Sequence, residues 1–383
     1  MNPAPSPADS RILWLGLHLT PNLGARGIER LMENFGAIEA IYQASLTELE
    51  ACQIAPAAAQ YIHDGRALAE GEREFQAASL LGIEILTRGD HAYPPLLAEI
   101  PDPPFVMYVR GSAAKLQELS IAVVGTRHPT PYGRLMTERL GAGLAQSGLA
   151  VVSGLARGID SLAQKACLDA GGLTIAVLGT GVDVIYPREN TALANAILEK
   201  GGVLLSEFAL GTPATPQNFP IRNRLISGLS LGVLVVEGGE HSGSRITARL
   251  ALEQNRDLYA IPGLVTQKQA WLPNHLIREG GKLVRMAEDI LEELPTWVKQ
   301  RLQPLPGSRN TGEPTNVPAR SSLAEPARRV LSALRLEEAT QLEVLQDRLG
   351  GDFTPAKLLA LLFELELSGW VRQMPGQFYV RAH

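Results

Sequence analysis

From Ser120 onward the chain alternates between short, β-branched apolar runs and helical segments. The runs are IAVVG, AVVSG, LTIAVLG, GVLLSE, LGVLVVEG and DLYAIPG. Strands that read as nearly continuous apolar stretches are buried on both faces, and helices between them serve as crossovers. The pattern therefore dictates an α/β fold with a parallel sheet covered by helices. In such a sheet every strand-to-helix turn opens on one rim, and ligands lie outside the carboxyl ends of the strands.

With 383 residues the chain exceeds a usual single core. Residues 1–75 read as a helical domain, with apolar residues three and four apart in RILWLGLHLT, ARGIERLMENFG and AIEAIYQA. Residues 76–294 form the sheet-bearing core. Residues 295–324, rich in Pro, Ser, Gly and Asn after the first turn, read as a linker. Residues 325–383 carry three helical runs and two strand-like runs about a Pro-Gly turn, the pattern of a winged helix. Its third helix sets Lys357 against Glu364 and Glu366, a charge deficit that favours contact with protein over DNA reading. In LTPNLGARGIERL, Gly24 and Gly27 either offer amides to phosphates or make ordinary helix turns.

Two cysteines far apart, Cys52 and Cys167, support neither a disulfide framework nor a zinc cluster, so no metal is expected. The N-terminus lacks a basic stretch followed by an apolar core, and no apolar run approaches the roughly 18 residues of a membrane span; a cytoplasmic protein is expected.

The first core strand ends in VVGTRHPTPYG. A dinucleotide site wants G-x-G-x-x-G there and an acid on the next strand. One glycine, Gly125, is followed by Thr126 and Arg127, and the next strand ends in VVSGLARGID. No NAD or FAD cofactor is therefore expected. What remains is a turn suited to an anion through exposed amides, a hydroxyl and a guanidinium, or else a plain tight turn. The second turn brings Ser153, Gly154, Arg157 and Asp160. Ser153 lacks the G-x-S-x-G of a nucleophile elbow, and Asp160 is a partner for the helix dipole or for Arg157.

The stretch FPIRNRLISG places Phe219, Arg222, Asn223 and Arg224 on the same rim, at the start of a helix. EGGEHSGSRITA adds Ser242, Ser244, Arg245 and Thr247. One edge of the sheet thus collects Arg127, Arg157, Arg222, Arg224 and Lys165, with Tyr132, Tyr186 and Phe219 among them. Several cations with interleaved aromatics suit a strand of phosphates with unpaired bases. The formal net charge of −5 does not exclude a local basic cleft. Phe219 and Tyr186 are equally readable as core residues, and Arg222 and Arg224 as caps on carbonyls or partners of Glu207 and Glu237.

These motifs resemble the DprA/Smf family of DNA-processing proteins. VGTRHPTPYG, SGLARGID, LGTGVDVIYP, SEFALGTPATPQNFPIRNRLISGLS, VVEGGEHSGSRITA and AIPG occur in the family's order over residues 121–263, and NHLIREGGKLV extends the match to 284. The resemblance implies an extended Rossmann-like core between an N-terminal helical domain of the SAM or helix-hairpin-helix type and a C-terminal winged helix. It further implies a dimer through the core that binds single-stranded DNA, protects incoming DNA and loads the RecA recombinase during natural transformation, without catalysis. By motif it makes Gly125, Thr126 and Arg127 a phosphate-binding turn and gives Ser153, Gly154 and Arg157 a similar role. Phe219 would stack on a base or sugar, with Arg222 and Arg224 on phosphates. One departure stands out: LVTQKQAWLPNHLI puts Trp271 and Pro273 where the family carries small residues.

The rival reading is a phosphoribohydrolase of similar fold, suggested by the paired glycines of VVEGGEHSGSRITA. That chemistry needs G-T-x-x-E, and GSRITA supplies no Glu at the spacing.

Overall fold

A computed structural model describes residues 7–305, 324–335, 339–350, 353–367, 370–374 and 376–381. Among the described residues six helices come first: Pro7–Leu19, Gly24–Phe35, Ile38–Gln43, Leu46–Ala51, Pro56–His63 and Arg66–Leu80. The first and last cross closely because glycines meet there. A Cβ on Gly16 would lie 2.6 Å from the Ala67 carbonyl, and one on Gly71 would strike the Ile12 carbonyl. The sixth helix runs to Leu80, so the expected boundary at residue 75 falls inside it.

The core strands are β1 (Glu84–Thr87), β2 (Val106–Arg110), β3 (Ser120–Val124), β4 (Ala150–Ser153), β5 (Thr174–Val177), β6 (Val203–Ser206), β7 (Gly232–Val235), β8 (Asp257–Ala260) and β9 (Lys282–Leu283). Among the described residues they form one sheet in the order β1-β2-β6-β5-β4-β3-β7-β8-β9. From β6 to β9 the pairing is parallel; β2 joins β6 antiparallel, and β1 joins β2 likewise. Every residue of β3 to β7 is buried, which is why those runs read as uninterrupted apolar sequence. The chain runs outward from β3 through β4 and β5 to β6, then returns to pair β7 with the other side of β3. That reversal makes a topological switch point between the carboxyl ends of β3 and β7.

The N-terminal helices share an apolar core with the antiparallel edge, where Trp14 stacks on Phe105 at 5.3 Å. His18 sits in this contact, 6.3 Å from the Tyr108 ring and hydrogen-bonded to the backbone of Glu207. Loss of hydration pushes its pKa down to about 4 from 6.5. The imidazole is thus neutral in the fold, while the unfolded chain takes up a proton below its own pKa. Its contribution to stability is full above pH 6.5 and lost as pH falls toward 4. His18→Gln is expected to flatten the melting temperature over that window, where the native chain loses on the order of 2–3 kcal/mol.

The expected linker begins later than residue 295. Residues Thr296–Arg301 form a helix whose Val298 is buried on the core, and the Leu305 amide donates to the Gln146 carbonyl at 3.2 Å. The rest of that segment, 306–323, lies outside the described residues. The C-terminal unit packs helices Glu325–Ala333, Leu342–Leu349 and Pro355–Leu367 on a small sheet of β10 (Thr340–Gln341), β11 (Val371–Met374) and β12 (Phe378–Arg381), in the order β10-β12-β11. Val330, Leu345, Leu362 and Trp370 fill its core. This is a winged helix.

Candidate nucleic-acid interface

A cleft of about 650 Å³ opens at the switch point. The turn after β3 forms one lip and the loop after β7, with helix Ser244–Glu253, the other. Helix Asn218–Gly228 closes one side. Phe219 and Arg222 lie three apart on this helix and so share a face. That face turns to the strand ends. A Cβ at Gly179 would lie 2.8 Å from the Phe219 ring, and one at Gly154 would lie 2.6 Å from the Arg222 guanidinium. Small residues at these strand ends are therefore obligatory for the closeness of the helix.

Arg222 is buried beneath the cleft. Its Nη1 donates to the Gly154 carbonyl at 2.9 Å and to the Val177 carbonyl, and its Nε donates to Asn223 Oδ1 at 3.2 Å. Burial pulls its pKa down to about 10 against the opposing charge of Asp160, and the nearby Arg127 adds to the fall. Asp160 is also buried, which raises its pKa, while Arg222 and the Gly154 amide at 3.1 Å hold it down. Arg127 is exposed, and among the described residues it has no hydrogen bond or ion pair. Two guanidiniums thus influence each other at one cleft, and among the described residues that line it Asp160 alone carries a carboxylate. Phe219 and the exposed Tyr186 face each other at 5.7 Å and 35°, with the Arg222 guanidinium carbon 6.0 Å from the Phe219 ring.

The cleft gathers Gly125, Thr126, Arg127, Phe219, Arg222, Asn223 and Ser244. A smaller adjoining hollow of about 140 Å³ adds Gly154 and Arg157, but Arg157 is clamped by Glu189 at 2.5 and 2.7 Å. Arg245 stands outside the cleft wall, over Trp271 at 5.9 Å. Three expected residues are placed elsewhere. Ser153 is buried, its hydroxyl donating to the Val123 carbonyl at 2.7 Å. Lys165 points outward and pairs with Asp169 one turn on. Arg224 binds Glu207 at 2.6 Å and Asp102 at 2.8 Å. Burial raises the Glu207 pKa, and Arg224 opposes the rise. Asp160 serves Arg222, not Arg157, and Glu237 pairs with neither expected arginine.

The turn after β3 narrows the expectation of open amides, because four N–H groups there are taken within the protein. The Thr126 amide donates to the Glu237 carbonyl at 2.8 Å and the His128 amide to Thr126 Oγ1 at 3.2 Å. The Thr130 amide donates to Glu237 Oε2 at 2.9 Å and the Gly133 amide to Thr130 Oγ1 at 3.1 Å. Glu237, its pKa raised by burial, therefore occupies the N-terminus of helix Pro131–Gln146. On this lip an added anion therefore meets the side chains of Arg127 and His128, with four of the nearby amides already taken within the protein. His128, exposed beside Arg127 and not among the expected site residues, is a lip residue inside the motif VGTRHPTPYG.

A Rossmann-like sheet with a cationic, aromatic-walled cleft at its switch point, flanked by a helical unit and a winged helix, defines a class of ligand-holding α/β protein without a dinucleotide fingerprint. Within that class the chain belongs to the DNA recombination-mediator protein A family. The family model matches residues 84–295, and that of the DprA winged helix domain matches 313–377. Protein Smf of Escherichia coli is 41% identical over 289 residues, 76% of this chain and 75% of that protein. DNA processing protein DprA of Bacillus subtilis is 44% identical over 224 residues, 58% of this chain and 75% of that protein. The X-ray structure of DNA processing protein A from Streptococcus pneumoniae aligns with a TM-score of 0.65 at 34% identity. It covers 75% of this chain and 98% of that one.

Proposed function

We propose that this recombination mediator holds single-stranded DNA in the switch-point cleft, protects it and loads the RecA recombinase onto it during natural transformation. The observation that carries the reading is Arg127: an exposed guanidinium that, among the described residues, has no carboxylate partner, beside a second guanidinium in the cleft that Phe219 and Tyr186 also line. Phosphate satisfies the charge, and a base face satisfies the rings. A duplex hides its base faces, so aromatics favour a single strand.

Binding without turnover is the simpler chemistry here. Asp160 is engaged by the Gly154 amide and Arg222, and among the described residues no Glu lines the cleft to act at a ribose. The reading includes a homodimer through the core, for which β9, the edge strand of the sheet among the described residues, offers Leu283, with Met286 three residues on, 47% and 39% exposed. It also has the protein act in the cytoplasm; among the described residues no helix is long and apolar enough to cross a membrane.

Band shifts with single-stranded and duplex oligonucleotides at two salt concentrations test the reading. The single strand is expected to bind more tightly, with log affinity falling by about 0.7 per phosphate neutralised for each unit of log salt. Equal affinity for duplex, or binding indifferent to salt, would refute it.

A further inference from the structure

We propose that Trp271 is a second stacking platform for the bound single strand, on the far side of the cleft from Phe219 and Tyr186, with Arg245 meeting the adjoining phosphate. The proposal rests on the reading of the cleft as a single-strand site and extends that site beyond its wall.

The segment around Trp271 is bonded to both lips. The Gly238 amide donates to the Gln269 carbonyl at 2.7 Å, and the Leu272 amide returns to the Gly238 carbonyl at 2.8 Å. On the opposite lip, Gln269 Nε2 donates to the His128 carbonyl at 3.4 Å. Trp271 opens helix Trp271–Arg278 directly beside the loop that lines the cleft, and it is 36% exposed. An indole placed only to fill a core would not be left so open. One turn along, His275 stacks on it at 4.9 Å and 20°, which fixes the ring plane. The Arg245 guanidinium lies at 5.9 Å, near the outer limit of a cation–π contact. Its hydrogen bond to the Glu240 carbonyl is long, 3.5 Å, and the side chain is exposed.

The ring is therefore held rigid by a neighbour on its own helix and covered loosely by a cation on another. A nucleobase that slides onto the indole releases Arg245 toward the phosphate it brings. A pre-ordered ring loses little freedom on binding, which is what makes an aromatic platform effective. Phe219 packs on Gly179 beyond the end of β5, and the Trp271 segment bonds to Gly238 beyond the end of β7, so both rings stand at the carboxyl rim of one sheet, the course proposed for the strand. A second copy of the chain docking on Trp271 is the competing occupant.

The full-length protein is titrated with oligothymidylates of graded length. Trp271→Ala is expected to weaken the longer oligomers about tenfold, leaving unchanged the shortest ones that the cleft alone holds. Trp271→Tyr restores the long-oligomer affinity. Trp271→Phe retains binding but loses most of the DNA-induced quenching of tryptophan fluorescence, which Trp14, Trp297 and Trp370 do not report. Arg127→Ala, measured alongside, separates the two ideas. If it weakens all lengths while Trp271→Ala weakens none, the cleft reading stands and the platform is refuted. A change in oligomeric state by light scattering at unchanged affinity per protomer also overturns the platform, in favour of the second copy. If neither variant alters binding, the cleft itself is misassigned and the platform falls with it.

Discussion

Arg127→Glu is expected to lower single-strand affinity by about two orders of magnitude, because a charge-assisted hydrogen bond worth roughly 1.5–3 kcal/mol is replaced by repulsion. The melting temperature should barely move. Arg127 is exposed and, among the described residues, has no hydrogen bond or ion pair, so its removal leaves no buried group unsatisfied. The loss is to be read by fluorescence anisotropy at fixed salt, with the salt slope falling by about 0.7 for each phosphate no longer neutralised. Lys165→Glu is the matched control. It makes the same charge change on the outer face of helix Ile159–Asp169, where Lys165 pairs with Asp169, and should leave affinity within about twofold, as weak surface pairs do. Equal losses in the two variants would mean that net charge, not the cleft, governs binding.

Arg222→Met is expected to act on the fold. Arg222 joins the carboxyl ends of two strands through the Gly154 and Val177 carbonyls and faces the buried Asp160. Removing it strands a buried carboxylate and two acceptors, a defect of about 3–5 kcal/mol. Urea unfolding should show a lowered midpoint at an unchanged slope. The pH dependence identifies the cause. Burial already raises the Asp160 pKa, and without Arg222 it rises further. A carboxyl with a raised folded pKa contributes stability at low pH that is lost as pH rises through that pKa. The variant should therefore be closer to wild type at pH 5 than at pH 8, and Asp160→Asn in the same background should recover part of the loss at pH 8. Normal stability in Arg222→Met would show that the arginine is free to serve a ligand alone.

The contrast between these two arginines shows what the sequence disclosed. The strands were legible because burial on both faces leaves uninterrupted apolar runs, and the rim followed from parallel pairing. Phe219 and Arg222 were legible as neighbours because residues three apart share a helix face. Arg222 and Arg224 read as a pair only in the linear text. Two steps of a helix turn a side chain by about 200°, which carries Arg224 away to Glu207 and Asp102. The antiparallel pair β1 and β2 could not be read as an extension of the sheet, since their partner β6 lies far along the chain. The fate of the amides after β3 was hidden for the same reason: the carboxylate that takes the Thr130 amide comes from Glu237, 107 residues away. Ser153 lies at a strand end, as expected, yet its hydroxyl turns back into the sheet. Spacing locates a residue on a rim; only packing decides whether it faces the solvent there.

The most direct test of the cleft is photo-crosslinking with an oligothymidylate carrying a halogenated uracil, followed by peptide mapping. Adducts are expected on Phe219 or Tyr186 and to disappear in Arg127→Glu. Adducts confined to the N-terminal helices or the winged helix, at normal binding, would contradict the account.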